Sequence, residues 1–170
     1  MDLEAMLASY PDFPKKGVLF KDIGPILRDP AALAWAADEL LRRYPPADFD
    51  VIAGIESRGF ILATIMSARS GKGMVMIRKP GKLPGKTVKL AYKTEYGEDI
   101  LEAQHGSVKS GERVIICDDL LATGGTAAAA ASLVEQVGGK VAGLAFIVEL
   151  AKLCGADKIA GYNRKSLVVY

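Results

Sequence analysis

Cysteine, histidine and net charge are all scarce in this 170-residue sequence. It contains two cysteines and one histidine, and its 22 basic and 20 acidic residues leave a formal net charge of +2 at pH 7. Cys117 and Cys154 have no further cysteine or histidine at metal-ligand spacing, so both are interpreted as small core residues. The near balance of charge gives no field that favours nucleic acid or an acidic membrane as the main partner.

Long apolar runs are also missing. No stretch approaches the roughly 20 apolar residues of a membrane span, and the first residues lack the basic start and apolar segment of a signal peptide. We therefore expect a cytoplasmic protein that does not enter a membrane. No repeat, low-complexity segment or linker divides the chain, so residues 1–170 are predicted to form one domain.

The segment VIICDDLLATGGT, residues 114–126, combines carboxylates with a glycine pair. Its first four residues are apolar, as in a strand buried on both faces of a parallel sheet, which predicts Asp118 and Asp119 at the carboxyl end of that strand. Adjacent glycines then let the backbone approach an anion before an alanine-rich helix at about 127–137, whose free N–H groups would face it. The predicted cradle for a monophosphate consists of Ala122, Thr123, Gly124, Gly125 and Thr126.

Two better-known phosphate-binding motifs do not fit this loop. A nucleotide P-loop needs a Gly-Lys-Ser/Thr sequence, and no lysine follows Gly125. A dinucleotide-binding fingerprint needs three glycines spaced G-x-G-x-x-G, and only the adjacent pair is present. An ordinary strand end and turn would explain either feature alone, but the combination favours a phosphorylated sugar.

Apolar segments and helical patterns alternate along the chain. Strands are predicted at 51–55, 74–77, 114–117 and 141–148, with a late strand at 167–170, and helices at 30–44, 60–68 and 127–137. Asp29 is expected to cap the first of these helices and Pro30 to open it. The fold class that follows is α/β, an open, mainly parallel twisted sheet flanked by helices, with ligands at its carboxyl edge.

Residues 79–103 interrupt this alternation with a long polar segment. Its first half carries lysines among glycines and prolines, which is typical of a mobile loop. In its second half Val88, Leu90 and Tyr92 alternate with polar residues, which predicts a hairpin arm. We interpret the segment as a closing lid, and a solvated surface hairpin is the alternative.

A second anion site is predicted directly after the strand at 51–55. Arg58 can hold two phosphate oxygens with its planar fork, and Gly59 would lie at a helix N-terminus. The Ser-Arg-Gly sequence could also form an ordinary turn. Its predicted position at the same sheet edge as Asp118 favours the anion site.

The 114–126 segment resembles the 5-phosphoribosyl 1-pyrophosphate (PRPP) motif of the type I phosphoribosyltransferases, in the form found in their adenine-specific branch. Further segments resemble that branch in the expected order, at 13–29, 55–60, 77–85, 95–97 and 148–150. The resemblance implies transfer of the phosphoribosyl group of PRPP to N9 of adenine, giving AMP and pyrophosphate in purine salvage. Another purine base as acceptor, or a noncatalytic PRPP-binding regulator, are the alternatives.

The resemblance also implies roles for particular residues. Asp118 and Asp119 would hold the ribose hydroxyls. Glu95 would act as a catalytic residue by stabilising a proton on N7 of the purine, and Arg58 would be the second catalytic residue. The pyrophosphate would be bound by Ser57, Arg58, Gly59, Arg78, Lys79 and Lys82. A small N-terminal hood, at about 1–28, would hold adenine through Leu19, Phe20 and Lys21.

Cofactor and assembly are implied in the same way. Mg²⁺ would be bound mainly through substrate oxygens, with no protein ligand assigned. The chain would form a homodimer in which Arg78 approaches the neighbouring site. Lys21 stands where many relatives have arginine, and Pro80 where some have another basic residue; the second departure bears on how the lid contacts pyrophosphate.

Overall fold

The computed structural model describes residues 1–13, 15–94 and 97–170. Pro14 and the predicted catalytic Glu95 therefore lie outside the described residues. In chain order the elements are β1 Ala8–Pro11, β2 Leu19–Asp22, α1 Gly24–Arg28, α2 Pro30–Arg43, β3 Val51–Ile55, α3 Glu56–Ser70, β4 Gly73–Ile77, β5 Thr87–Thr94, β6 Gly97–Gln104, β7 Arg113–Leu121, α4 Gly125–Gln136, β8 Lys140–Glu149 and β9 Arg164–Val169, with 3-10 helices at Ala151–Leu153 and Gly155–Ile159.

A five-stranded sheet in the order β4-β3-β7-β8-β9 forms the centre of the fold. Each neighbouring pair in it is parallel. Successive residues of a strand point to opposite faces, so Ile52 packs into one core and Ala53 into the other. The first core contains Ala36 and Leu62 from α2 and α3, and the second contains Leu133 from α4. The predicted open parallel sheet flanked by helices is confirmed.

The first long helix begins as the sequence predicts. The side chain of Asp29 accepts hydrogen bonds from the backbone N–H groups of Ala31 and Ala32 at 2.8 and 3.1 Å, and Pro30 occupies the first helical position. These bonds satisfy two N–H groups that have no partner within the helix.

Three differences from the predicted element boundaries bear on the carboxyl edge of the sheet. Elsewhere, the late strand β9 begins at Arg164 rather than at residue 167. Strand β7 continues to Leu121, because Leu120 and Leu121 extend its pairing with β8, so the two aspartates lie within the strand. Helix α3 begins at Glu56 rather than residue 60, which places Arg58 in its first turn. Helix α4 begins at Gly125, inside the predicted phosphate cradle.

Two antiparallel ribbons lie outside the central sheet. The N-terminal segment, predicted as a hood, pairs β1 with β2. The predicted hairpin arm is present as β5 and β6, and Val88, Leu90 and Tyr92 pack against the core on the α4 side. Among the described residues, no helix has the length and apolar character needed to cross a bilayer. Cys117 is buried as expected, whereas Cys154 is exposed and is not a core residue.

Candidate active site

Two adjoining cavities open at the carboxyl edge of the sheet. The larger has a volume of about 640 Å³ and the smaller about 290 Å³. Arg58, Tyr92 and Thr126 line both, so these three side chains form the boundary between them. The carboxyl edge of a parallel sheet is where open α/β folds bind their ligands.

The predicted phosphate cradle borders the larger cavity, which is lined by Ala122, Thr123, Gly125 and Thr126. Gly124 has a φ of +75°, and a Cβ there would lie 2.2 Å from the carbonyl oxygen of Gly155. A Cβ on Gly155 would in turn lie 2.1 Å from the carbonyl oxygen of Ala122. Only glycines at both positions allow the loop to rest on the 3-10 helix behind it. Gly155 was not predicted, because no local pattern signals a contact made 31 residues away.

Asp118 and Asp119 line the smaller cavity and receive few hydrogen bonds from the described residues. Asp119 is buried, and Nε of Arg58 lies 2.8 Å from its Oδ2 atom. The approach is an ion pair only, since no described donor makes a well-angled hydrogen bond to that oxygen. The backbone N–H of Asp119 donates to Oδ1 of Asp118 at 2.8 Å.

Burial, and then the charge of Asp119, raise the pKa of Asp118 well above its usual range. Asp119 is buried and Asp118 is half-buried, and two adjacent carboxyl groups with so few donors would be stabilised by hydroxyl donors of a ligand. The pair therefore suits the predicted contact with a sugar diol.

The smaller cavity has a mixed lining of cations and acids. Ser57, Arg58 and Lys79, all predicted to bind pyrophosphate, contribute to its wall. Its acidic wall residues are Glu56, Asp99, Asp118 and Asp119. The Lys79 ammonium lies 3.2 Å from Oδ2 of Asp99. The carboxylate of Glu56 accepts a hydrogen bond from the backbone N–H of Lys79. Cations next to replaceable acidic partners suit a site that accepts a polyanion.

Glu56 holds this wall from a sparsely populated backbone conformation. Its φ is +34°, in a region where residues other than glycine are uncommon. Its carboxylate also lies 3.6 Å from Nε of Arg78. Backbone strain of this kind clusters at functional sites. Glu56 is the first residue of the predicted Glu-Ser-Arg-Gly anion segment, and no role of its own was predicted for it.

Three residues predicted to bind pyrophosphate are not among the wall residues of either cavity. A Cβ on Gly59 would lie 2.6 Å from the carbonyl oxygen of Cys117, so this glycine allows α3 to pack closely on β7. The Arg78 guanidinium lies 5.4 Å from the ring centroid of Phe60. Lys82 donates its backbone N–H to Glu102 at 3.2 Å.

The hood residues Leu19, Phe20 and Lys21 line the larger cavity together with the phosphate cradle. The Lys21 ammonium lies 3.7 Å from the centroid of the Tyr170 ring and donates to Oγ of Ser9 at 2.9 Å. Further wall residues come from the C-terminal part of the chain. They are Leu150, which ends the 148–150 segment, and Lys152, Leu153 and Tyr170, for which no role was predicted.

The predicted phosphate cradle, the two aspartates and the smaller cavity share one sheet edge, which is the arrangement expected of a phosphoribosyltransferase site. A family model for the phosphoribosyl transferase domain matches residues 21–168. The adenine phosphoribosyltransferase of Nitrosopumilus maritimus is 58% identical over 170 residues and 100% of both chains, and that of Acetivibrio thermocellus is 49% identical over 171 residues and 100% of both. The chain belongs to the adenine phosphoribosyltransferase family.

Solved structures agree with this assignment. The adenine phosphoribosyltransferase of Thermoanaerobacter pseudethanolicus matches with a TM-score of 0.96 at 45% identity, over 99% of this chain and 98% of that chain. The enzyme of Saccharomyces cerevisiae, complexed with an imino-altritol bisphosphate and adenine, matches with a TM-score of 0.91 at 40% identity, over 98% and 96%.

Proposed function

We propose that this protein transfers the 5-phosphoribosyl group of PRPP to N9 of adenine, forming AMP and pyrophosphate in purine salvage. The observation that carries the proposal is the pair of adjoining cavities with a common boundary at Arg58, Tyr92 and Thr126. A relative from Trypanosoma brucei, 28% identical, has been solved with AMP, pyrophosphate and ribose-5-phosphate, which are the ligands that two such cavities would share.

The substrate is assigned to the site by charge. The 5-phosphate binds the cradle from Ala122 to Thr126, at the start of α4, where backbone N–H groups are free to donate. The ribose hydroxyls donate to Asp118 and Asp119. The pyrophosphate occupies the smaller cavity beside Arg58 and Lys79, which oppose its negative charge.

The reaction breaks the bond between C1 of the ribose and pyrophosphate, and forms a bond between C1 and N9. The leaving group takes the bonding electron pair, so positive charge develops on the sugar while N9 supplies the new pair. The carboxylates of Asp118 and Asp119 lie where they would moderate that charge. Glu95 is proposed to stabilise the proton on N7, and the hairpin carrying it to exclude water.

Adenine is assigned to the larger cavity beside Leu19, Phe20 and Lys21. These residues lie on a strand, so their backbone groups can read the edge of the base. A carbonyl that accepts from the amino group of adenine, and an N–H that donates to its ring N1, would oppose the keto group and protonated N1 of hypoxanthine or guanine. Base choice would then depend little on the Lys21 side chain.

Mg²⁺ is proposed to accompany the pyrophosphate. The described residues contain no cluster of three or more potential metal-ligating side chains, and the oxygen-rich lining of the smaller cavity suits a hard cation held mainly by substrate. When bound, the ion would neutralise part of the pyrophosphate charge.

We propose that the chain forms a homodimer through the β4 edge of the sheet and the adjoining helix α3. Ile61 on α3 and Met76 on the edge strand β4 are 36% and 41% exposed, on elements that pack together and lead into Arg78. Exposed apolar side chains next to an open strand edge suit a protein interface. Analytical ultracentrifugation tests this proposal, which predicts a dimer that Ile61→Glu weakens. A cytoplasmic location is proposed with it.

A product assay tests the proposed reaction. The purified chain is incubated with PRPP and Mg²⁺ and each of adenine, hypoxanthine, guanine, xanthine and uracil, and nucleotide and pyrophosphate are quantified. AMP from adenine, in strong excess over the other products, is expected. Strong turnover of hypoxanthine or xanthine without adenine turnover would contradict the base assignment. A melting shift with PRPP but no product from any base would instead support a noncatalytic regulator.

A further inference from the structure

Tyr92 brings the hairpin into contact with the phosphate cradle. This residue lies on β5, its phenol oxygen is 3.2 Å from Oγ1 of Thr126, and its ring is half-buried. The backbone also comes close here, since a Cβ on Gly125 would lie 3.3 Å from the carbonyl oxygen of Lys93. The hairpin is therefore docked on the start of α4.

The opposite strand of the hairpin carries a link to the second cavity. Asp99 on β6 is the register partner of Tyr92, so their side chains share one face of the ribbon. Oδ2 of Asp99 lies 3.2 Å from the Lys79 ammonium in the wall of the smaller cavity. Burial, and to a lesser degree the charge of Asp99, raise the pKa of the Tyr92 phenol, which stays protonated and able to donate.

We infer that Tyr92 is a positioning residue that couples the two ends of PRPP, by tying the hairpin to the 5-phosphate cradle through Thr126. The inference rests on the proposed function. A phosphate in the cradle fixes Thr126, and Tyr92 then fixes the hairpin and the Asp99–Lys79 pair beside the pyrophosphate. Binding of either end of the substrate orders the hairpin, so the other end then binds without that free-energy cost.

Calorimetry measures this coupling directly. The Kd of pyrophosphate with Mg²⁺ is determined with and without saturating ribose 5-phosphate, and the ratio of the two values is the coupling factor. Tyr92→Phe keeps the ring that packs on α4 and removes only the hydroxyl. We expect this variant to lower the coupling factor by about fivefold, the effect of one ordinary hydrogen bond.

Tyr162→Phe is the matched control. Tyr162 donates its phenol O–H to Oε1 of Glu135 at 3.0 Å, near the far end of the same helix α4, and lines neither cavity. The Tyr162→Phe variant loses the same kind of hydrogen bond and should keep the wild-type coupling factor.

Steady-state kinetics separate positioning from loss of structure. Tyr92→Phe should raise the KM for PRPP by about fivefold and change the KM for adenine less, because the hydroxyl that is removed contacts Thr126 of the phosphate cradle. An unchanged coupling factor in Tyr92→Phe, or an equal fall in Tyr162→Phe, would overturn the inference. Failure of the wild-type chain to form AMP from PRPP and adenine would overturn the proposed function instead.

Discussion

An aspartate–arginine contact lies at each end of the β3–β7 strand pair. The two contacts differ in how many hydrogen bonds the aspartate accepts. At the amino end, Arg113 donates to Asp50 through its backbone N–H, Nε and Nη2, at 2.8, 3.1 and 2.8 Å. These bonds, the side-chain ones first, hold the pKa of Asp50 well below its usual range. At the carboxyl end, Asp119 has one ion-pair approach from Arg58, and the pKa of Asp118 is raised.

The difference separates a structural ion pair from a binding site built of similar residues. A carboxylate with three donors gains nothing more from a ligand, whereas a buried one with few donors is stabilised by any hydroxyl that reaches it. Groups with perturbed pKa values in a cleft are candidates for function on this physical ground. The same strand pair therefore has a structural ion pair at one end and the proposed ribose site at the other.

The largest expected effect is on catalysis. Asp119→Asn keeps the size of the side chain and removes its charge, so it weakens the hydrogen bonds from the ribose and the support of the developing cation. We expect kcat/KM for PRPP to fall by about 100-fold, since hydrogen bonds to charged groups contribute about 1.5–3 kcal/mol each. Steady-state assays check this, with Asp50→Asn as the matched control at the amino end. Equal losses in the two variants would remove the distinction.

The next effect is on stability and belongs to Asp50. Because the fold lowers its pKa, the stabilisation it provides is present above its ordinary pKa of about 4 and is lost as the pH falls through the lower folded value. Asp50→Asn should therefore lower Tm at pH 7, and the gap from wild type should narrow below about pH 4. Thermal melts across pH 2–8 measure this gap. A gap that is constant with pH would show that the ion pair is not its source.

The smallest expected effect distinguishes two lysines near the carboxyl edge. Lys79 lines the smaller cavity, and Lys82 lines neither cavity. Lys79→Ala should raise the KM for PRPP by about fivefold, and Lys82→Ala by less than about twofold, because an exposed charge away from the ligand is screened by solvent. A larger effect at Lys82 would indicate that the segment before the hairpin closes over pyrophosphate.

Local patterns predicted most of the sheet and much of the site. Apolar runs between turn residues predicted the central strands, and the Asp29–Pro30 pair predicted the start of α2. The extension of β7 through Asp118 to Leu121 was not predicted, because its polar residues break the apolar run and only the pairing with β8 supports it. Long-range pairing overrides local preference in such strands.

The parts of the site that were missed depend on contacts between distant segments. Gly155, in a 3-10 helix, packs against the phosphate cradle. Tyr170 contacts Lys21 although the two residues lie near opposite ends of the sequence. Tyr92 was predicted only as an apolar position of the hairpin. Its alternation with Val88 and Leu90 predicted the face of the hairpin on which it lies. The sequence pattern did not predict its contact with Thr126.

The central claim is that Asp118 and Asp119 receive few donors from the protein and are stabilised by the hydroxyls of the ligand. Thermal melts of Asp118→Asn at pH 7, with and without ribose 5-phosphate, test this claim most directly. A raised folded pKa means that Asp118 costs stability as pH rises above its ordinary value near 4, and asparagine removes that cost. We expect a higher Tm for the ligand-free variant and a smaller Tm increase on adding ribose 5-phosphate. The control Asp38→Asn, which removes an exposed pair with Arg69, should show the wild-type increase. A lower Tm together with the full wild-type increase would contradict the claim.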